Sequence, residues 1–328
     1  MDGQHMGARV CYYIQSHTRP AQVAHLVELI KKSSPQSTVI ITHDERGPAL
    51  DSVRLESLPG VYVLTGPGGY GTFSHIDRYF TAVDWLDEHG IEFDWLENLS
   101  GQDYPLRPIA EIEGILSSTE ADGFLQYAPV FPDRTPRNVD WGAGPEFQLC
   151  SPFDASMHYD FRYWRMGRPT GAKRRWLRPL MAMDWMQPWI RLSLDYQAIG
   201  VRRRKTLFSA NFICYGGLFF CTLSARCVYY AREFARLHPE IVAFFRTTLA
   251  PEEIFLQTVL VNSGKFCLLP DCKRYVDFSN TRNSHCKVLE AVDLDIMLAS
   301  GAHWARKFDP AHDAEVLEIL NRRVQLVS

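Results

Sequence analysis

The chain has 328 residues, of which 46% are hydrophobic and 22% charged, and a formal net charge of -3. That balance excludes disordered, collagen-like and coiled-coil proteins. A slightly acidic total, with basic residues only in local runs, argues against nucleic acid as the main partner. The length allows about two domains at roughly 150 residues each. We expect one large α/β domain with elaborations: a nucleotide-binding half over 9–128, a variable insertion over 129–205 and an acceptor and diphosphate half over 206–328.

In chain order, Arg9 to Gln15 reads as a buried strand, and Pro20 to Lys32 carries Val23, Leu26, Val27 and Ile30 at helical spacing. Strands follow at Thr38 to Thr42 and Val61 to Leu64. After them come a Gly/Pro loop at Gly66 to Gly71, a helix from Ser74 to His89 and a strand from Phe93 to Leu99. This alternation predicts a mostly parallel central sheet flanked by helices. Ligands of such sheets bind beyond the carboxyl ends of the strands. The loops at Ser16 to Arg19, His43 to Gly47, Gly66 to Ser74 and Ser100 to Pro105 should therefore surround one crevice.

From Pro129 to Lys205 the alternation stops, and the segment is rich in Trp and Arg, with Trp164, Trp176, Trp185, Trp189, Lys173-Arg-Arg175 and Arg202-Arg-Arg-Lys205. Three readings stay open for it: core of an extra layer, stacking platforms for acceptor sugars, or a surface meeting a membrane. The pattern returns at Asn211, with helices expected at Ala225 to Leu237, Pro251 to Asn262 and Asp313 to Val324. The eight cysteines lie mostly in apolar stretches and are expected to be reduced, buried thiols. No signal peptide or membrane span is visible, so the expected location is cytoplasmic, peripheral at a membrane at most.

Several residues are chemically suggestive where they stand. Gly101 and Asp103 leave a strand at its carboxyl end. Asp44 ends another strand, with His17 in the adjacent loop. Pro251 suits a first helical turn, which would set Glu252 and Glu253 near a positive helix end that favours ionised carboxylates. The same pair would otherwise be a solvent-facing helix start, and Arg306-Lys307 a solvated surface pair. Asp293-Leu-Asp295 reads as a helix N-terminus rather than a metal site.

Leu99-Ser-Gly-Gln-Asp-Tyr-Pro105 closely resembles a signature of the core-2/I-branching N-acetylglucosaminyltransferase and peptide O-xylosyltransferase family, glycosyltransferase family fourteen. Collinear with it, Tyr13-Ile-Gln-Ser-His17, Ile40-Ile-Thr-His-Asp44, Tyr70-Gly-Thr-Phe-Ser74, Pro251-Glu-Glu253 through Val259, Arg274-Tyr-Val-Asp-Phe278, His285-Cys-Lys287 and Ala305-Arg-Lys-Phe-Asp309 are similar to family segments. The resemblance spans most of the chain outside about Pro129 to Arg204. Gly217-Leu-Phe-Phe220 departs from the family's Gly-Ser-Gln-Trp.

The resemblance implies a GT-A-type nucleotide-sugar-binding fold and an inverting, metal-independent transfer from a UDP-sugar to a hydroxyl of a glycan, glycoconjugate or natural product. N-acetylglucosamine is the first donor sugar to consider, then xylose or glucose. Glu253 corresponds to the general base. His17, Asp44, Ser74 and Asp103 fall at the donor nucleotide, and Lys287, Arg306 and Lys307 at the diphosphate, where fixed cations can stand in for a metal. Glu252, Phe220 and Trp185 fall on the acceptor side. No cofactor or metal is implied. A glycan-binding or scaffold protein without catalysis is the alternative.

Overall fold

The computed structural model describes residues 7–144, 152–166, 187–279 and 286–325. Its centre is a seven-stranded sheet. Strands β1 (Val10–Ser16), β2 (Thr38–Asp44), β3 (Val61–Gly66) and β4 (Trp95–Ser100) are mutually parallel, in the spatial order β3-β2-β1-β4. Beyond β4 the order continues β12-β6-β13, where β12 (Thr222–Ser224) runs antiparallel to both β4 and β6 (Gly123–Phe124), and β13 (Leu268–Leu269) is parallel to β6. The predicted α/β architecture, a mostly parallel sheet with helices on its faces, is the one observed.

Every residue of β1 is buried, as expected of a strand covered on both faces. Its alternation divides the interior: Cys11 and Tyr13 join one core, while Val10, Tyr12 and Ile14 join the other. Helix α1 (Pro20–Ser33) covers the second core with Val23, Leu26, Val27 and Ile30. Pro20 sits in its first turn, where no amide is needed, and Lys31 and Lys32 occupy its last turn, where cations oppose the helix dipole. Helix α3 (Ser74–Glu88) covers the first core with Ile76, Tyr79, Ala82, Val83 and Leu86. Short helices at Ser52–Glu56 and Ile109–Ser118, unmarked in the sequence reading, complete the half.

The insertion holds a small sheet of its own: β8 (Phe161–Arg165), β10 (Ala198–Arg202) and β9 (Ile190–Ser193), all antiparallel. Trp176, Trp185 and Lys173 to Arg175 lie outside the described residues, as do Cys150 and His285. None of the seven described cysteines is joined to another by a disulfide. A third sheet, β14 (Arg274–Val276), β15 (Trp304–Arg306) and β5 (Tyr104–Pro105), closes the carboxyl-terminal part. Arg274 carries this sheet under the central one, donating to Glu97 and to the Asn98 carbonyl (3.0 Å) with both side chains fully inaccessible. Its motif is therefore a structural clamp. Asp293 takes part in a capping box with Glu290 ahead of the Leu294–Ala299 helix, in line with the helix-start reading of Asp293-Leu-Asp295.

One helix differs from expectation in a way that bears on function. Pro251 to Asn262 is not continuous: a 3₁₀ turn at Pro251–Glu253 stops at Ile254, and the α-helix begins only at Phe255 and runs to Ser263. Ala250 enters that turn at φ 44°, and Ile254 leaves it at φ -129°, outside the helical region, so the turn does not run on into the helix behind it. Glu252 and Glu253 consequently stand in a tight turn, not in the first turn of the longer helix.

Candidate active site

The carboxyl ends of β1, β2 and β4 meet where the sequence places the crevice. Arg78, from helix α3, underpins it by donating to the carbonyls of Ser16 (3.2 Å) and Thr42. The guanidinium thus ties together the last residues of two neighbouring strands. Asp44 accepts from the Arg46 amide (3.1 Å) and from Arg46 Nε (3.0 Å) and Nη2 (2.9 Å), which holds its carboxyl well below the usual carboxylate range. It is thereby fixed as an anion, with Arg46 already on it; the expected donor-nucleotide contact must share it with that arginine. Gly68 passes so close to this carboxylate that a Cβ there would collide with it. His17 lies in the adjacent loop, where the surrounding protein lowers its pKa against the pull of Asp44. Ser74 Oγ bonds Thr72 Oγ1 at 2.7 Å at the start of helix α3.

Glu252 and Glu253 form one end of the site. The loop after β3 reaches them through Gly71, whose carbonyl accepts from the Ala250 amide (3.3 Å) and from Arg165 of the insertion. Gly71 has φ 56°, and a Cβ there would run into the Tyr196 ring, so glycine is needed twice over. Tyr196 stacks on Tyr70 with ring centroids 5.5 Å apart. Both glutamates keep some surface, yet the protein packed around their carboxyls controls them. Burial pushes Glu253 up to about 7, and burial together with its neighbour Glu253 pushes Glu252 up to about 8, while Arg165 pulls Glu252 the other way. The expectation of two carboxylates held ionised by a helix end is therefore corrected: desolvation outweighs any dipole in a turn this short. Oε2 of Glu252 is buried without a hydrogen-bond partner among the described residues.

The other end is cationic. Arg306 lies at the end of β15 with its guanidinium 3.8 Å above the Phe220 ring and its Nε 3.4 Å from Asp103. Asp103 is almost fully buried and accepts from Ser100 Oγ (2.6 Å) and the Ser100 amide (3.1 Å). Its carboxylate thus already holds the turn and Arg306, and the expected nucleotide contact must share it with them. The Arg306 side chain keeps 17% of its surface. Lys307, next in sequence, is partly exposed, and its ammonium has no partner among the described residues. Lys287 is less available than the resemblance implies, because both oxygens of Asp293 hold its ammonium, at 2.7 and 2.9 Å.

The segment Gly217 to Phe220 joins the two ends. The Gly217 amide donates to the Glu253 carbonyl (2.9 Å), Gln257 Nε2 donates to the Leu218 carbonyl (2.9 Å), Asn98 Nδ2 donates to the Phe219 carbonyl (2.9 Å), and Phe220 lies under Arg306. Three residue steps span at most about 10 Å. Phe220, placed by the resemblance on the acceptor side, thus serves the cation. Trp185 lies outside the described residues. The sequence reading missed Arg165 and Tyr196, which come from a segment without family resemblance and reach the site only through folding, and Arg78, whose role needs the strand ends in three dimensions. Among the described residues no group of three or more His, Cys, Asp and Glu is placed to hold a metal ion. No described helix is long and apolar enough to cross a membrane.

No protein-family model matches the chain, and no curated protein does. Among solved structures the chain is similar to an inositol-1-phosphate CTP transferase from T. maritima, with a TM-score of 0.40 and 10% identity over 98% of each chain. A TM-score that low decides neither fold family nor chemistry.

Proposed function

We propose that the protein is an inverting glycosyltransferase of GT-A type that uses a UDP-sugar without a metal ion. The observation that carries this reading is the pairing of a desolvated carboxyl, Glu253, with a fixed cation, Arg306, at the two ends of the short Gly217–Phe220 segment. Glycosyl transfer with inversion needs those two things. Glu253 takes the proton of the acceptor hydroxyl as that oxygen bonds to the anomeric carbon from the face opposite the diphosphate. The anomeric carbon–oxygen bond to the diphosphate breaks in the same step, and the negative charge that collects on the leaving group is neutralised by Arg306 and Lys307.

A base works best with a pKa near the operating pH, and burial brings Glu253 to about 7. Asp103 aims Arg306, and the Asp44–Arg46 pair with the Gly68 loop offers charge and backbone to the nucleoside. UDP-N-acetylglucosamine is the first donor to test, with UDP-xylose and UDP-glucose beside it and a sugar hydroxyl as acceptor. The test is UDP release from that panel, with and without EDTA, alongside thermal stabilisation by UDP. Release that survives EDTA is the expected result. Complete dependence on a divalent ion would overturn the metal-free chemistry, and no stabilisation by any uridine nucleotide would overturn the donor.

A further inference from the structure

The loop after β3 bridges the crevice. Gly68 lies against the Asp44 carboxylate and the Gly71 carbonyl accepts from the Ala250 amide (3.3 Å), so three residue steps, at most about 10 Å, lead from the end of β2 to the glutamate turn. Tyr70 stands between those two anchors with 54% of its surface exposed. Its ring stacks on Tyr196, the two planes 21° apart. Tyr196 is braced in turn: the His158 ring meets it edge-on at 5.5 Å, the Arg165 guanidinium lies 5.7 Å from its centre, and its edge occupies the space where Gly71 has no Cβ. An exposed ring laid on a braced one is a preorganised apolar surface.

Carboxyls stand close to both rings. Burial, and then the charges of Glu253, Glu252 and Asp195, raise the Tyr70 phenol, and burial, then Glu253, Tyr70 and Glu252, raise that of Tyr196. The Arg165 guanidinium is already taken by the carbonyls of Tyr196 (2.6 Å) and Gly71. Oε2 of Glu252, buried without a partner among the described residues, lacks a hydrogen bond that a hydroxyl would supply.

We propose that Tyr70 and Glu252 form a subsite for an uncharged pyranose, the ring that carries the acceptor hydroxyl. The C–H bonds on one face of a pyranose meet the electron-rich face of the tyrosine, while a hydroxyl on its rim donates to Glu252. Three carboxyls and an engaged guanidinium disfavour a uronic acid or a sugar phosphate through like charge. An amino sugar fits less well than a neutral one, because Glu252 stays protonated up to about 8 and so lacks the charge that an ammonium would seek. Calling this sugar the acceptor rests on the proposed reaction, in which Glu253 stands beside it; the sugar subsite itself does not.

The experiment is saturation-transfer NMR of the full chain with the methyl β-glycosides of glucose, galactose, N-acetylglucosamine, glucosamine and glucuronic acid, each with and without UDP. Neutral glycosides should bind, with transfer strongest at the protons of one ring face, and the glucuronide should not. Tyr70→Ala should weaken binding about tenfold, while Tyr70→Phe, which keeps the ring, should bind nearly as the parent does. In turnover the alanine variant should raise the acceptor KM by about the same factor and leave the donor KM in place. No transfer to any neutral glycoside, an alanine variant that binds as well as the parent, or glucosamine bound about tenfold more tightly than glucose overturns the proposal. Glycoside binding that UDP abolishes would put the sugar on the donor and overturn its assignment as acceptor. Sugar binding without UDP release from any UDP-sugar would leave the subsite standing and remove the reaction, whereas UDP release with an acceptor KM unmoved by Tyr70→Ala would leave the reaction and remove the subsite.

Discussion

The two ends of the crevice are charged by opposite means. At the Glu252–Glu253 turn the protein strips water from two carboxyls and leaves Glu252 Oε2 without a hydrogen bond among the described residues, so both groups hold protons far above their ordinary range. At the Arg306 end it does the reverse, setting a guanidinium over an aromatic ring and beside a buried carboxylate that keeps the cation in place. In the proposed reaction one end exchanges a proton and the other keeps its charge unchanged. That contrast is what separates a group that reacts from a group that stabilises, and it can be tested one end at a time.

The largest effect belongs to the proton-exchanging end. Glu253→Gln keeps the shape of the turn and its backbone bonds but removes the base, so turnover should fall by about 10²–10⁴-fold. Thermal stabilisation by UDP should be unchanged, because the proposed nucleotide site lies at the other end. A Gln variant that still turns over would take the base away from Glu253. Replacing the cation is next in size. Arg306→Ala should lower kcat by about 10²–10³-fold, the range for losing one preorganised group at a developing charge. Asp103→Asn should act in the same direction and more weakly, since the guanidinium remains but loses the carboxylate that aims it. If Asp103→Asn were as harmful as Arg306→Ala, the carboxylate would be touching the donor itself.

Much of this division could be read from the sequence, and the part that could not has a physical cause. The parallel half was legible because β1, β2 and α1 obey periods set by their own geometry, with apolar runs for strands buried on both sides and a spacing of three to four for the helix. Glu253, Arg306 and Lys307 were legible only as members of collinear segments that resemble a family, a relation that names positions but not their surroundings. The state of the carboxyls was not legible. A proline followed by two acids marks a helix start whether or not the helix continues, and neither the non-helical backbone of Ile254 nor the packing of Gly71, Arg165 and Tyr196 from distant parts of the chain is written in that pattern. Asp103 is a related case: its place at a strand end is legible, whereas the arrival of Arg306 beside it from two hundred residues away is not.

A smaller effect is expected at Lys307, which has no partner among the described residues and so costs little to remove. Lys307→Ala should weaken UDP binding by about two- to fivefold, the order expected for one exposed charge on a diphosphate, and the loss should shrink as salt is raised. Measured by calorimetric titration, a Kd unchanged at low salt would mean that the ammonium does not reach the ligand.

The smallest effect concerns stability, and it separates the two ends without any substrate. A carboxyl whose folded pKa lies above its unfolded value binds more protons in the native state, so its contribution is whole below the ordinary value of 4.5 and is lost as pH rises through about 7 for Glu253 and about 8 for Glu252. The melting temperature of the parent chain should therefore drop between pH 6 and pH 9 by a few degrees more than that of a Glu252→Gln, Glu253→Gln double variant, on the order of one or two kcal/mol in a protein of this size. Asp44, at the end of β2, is held below its ordinary range by Arg46 and has the opposite sign, with stability present above that range and lost only as pH falls through its folded value. It cannot imitate the alkaline loss. Parallel melting curves for parent and double variant would mean that water reaches the carboxyl pair, and a hydrated Glu253 would titrate near pH 4.5, where it is a weaker base for a sugar hydroxyl.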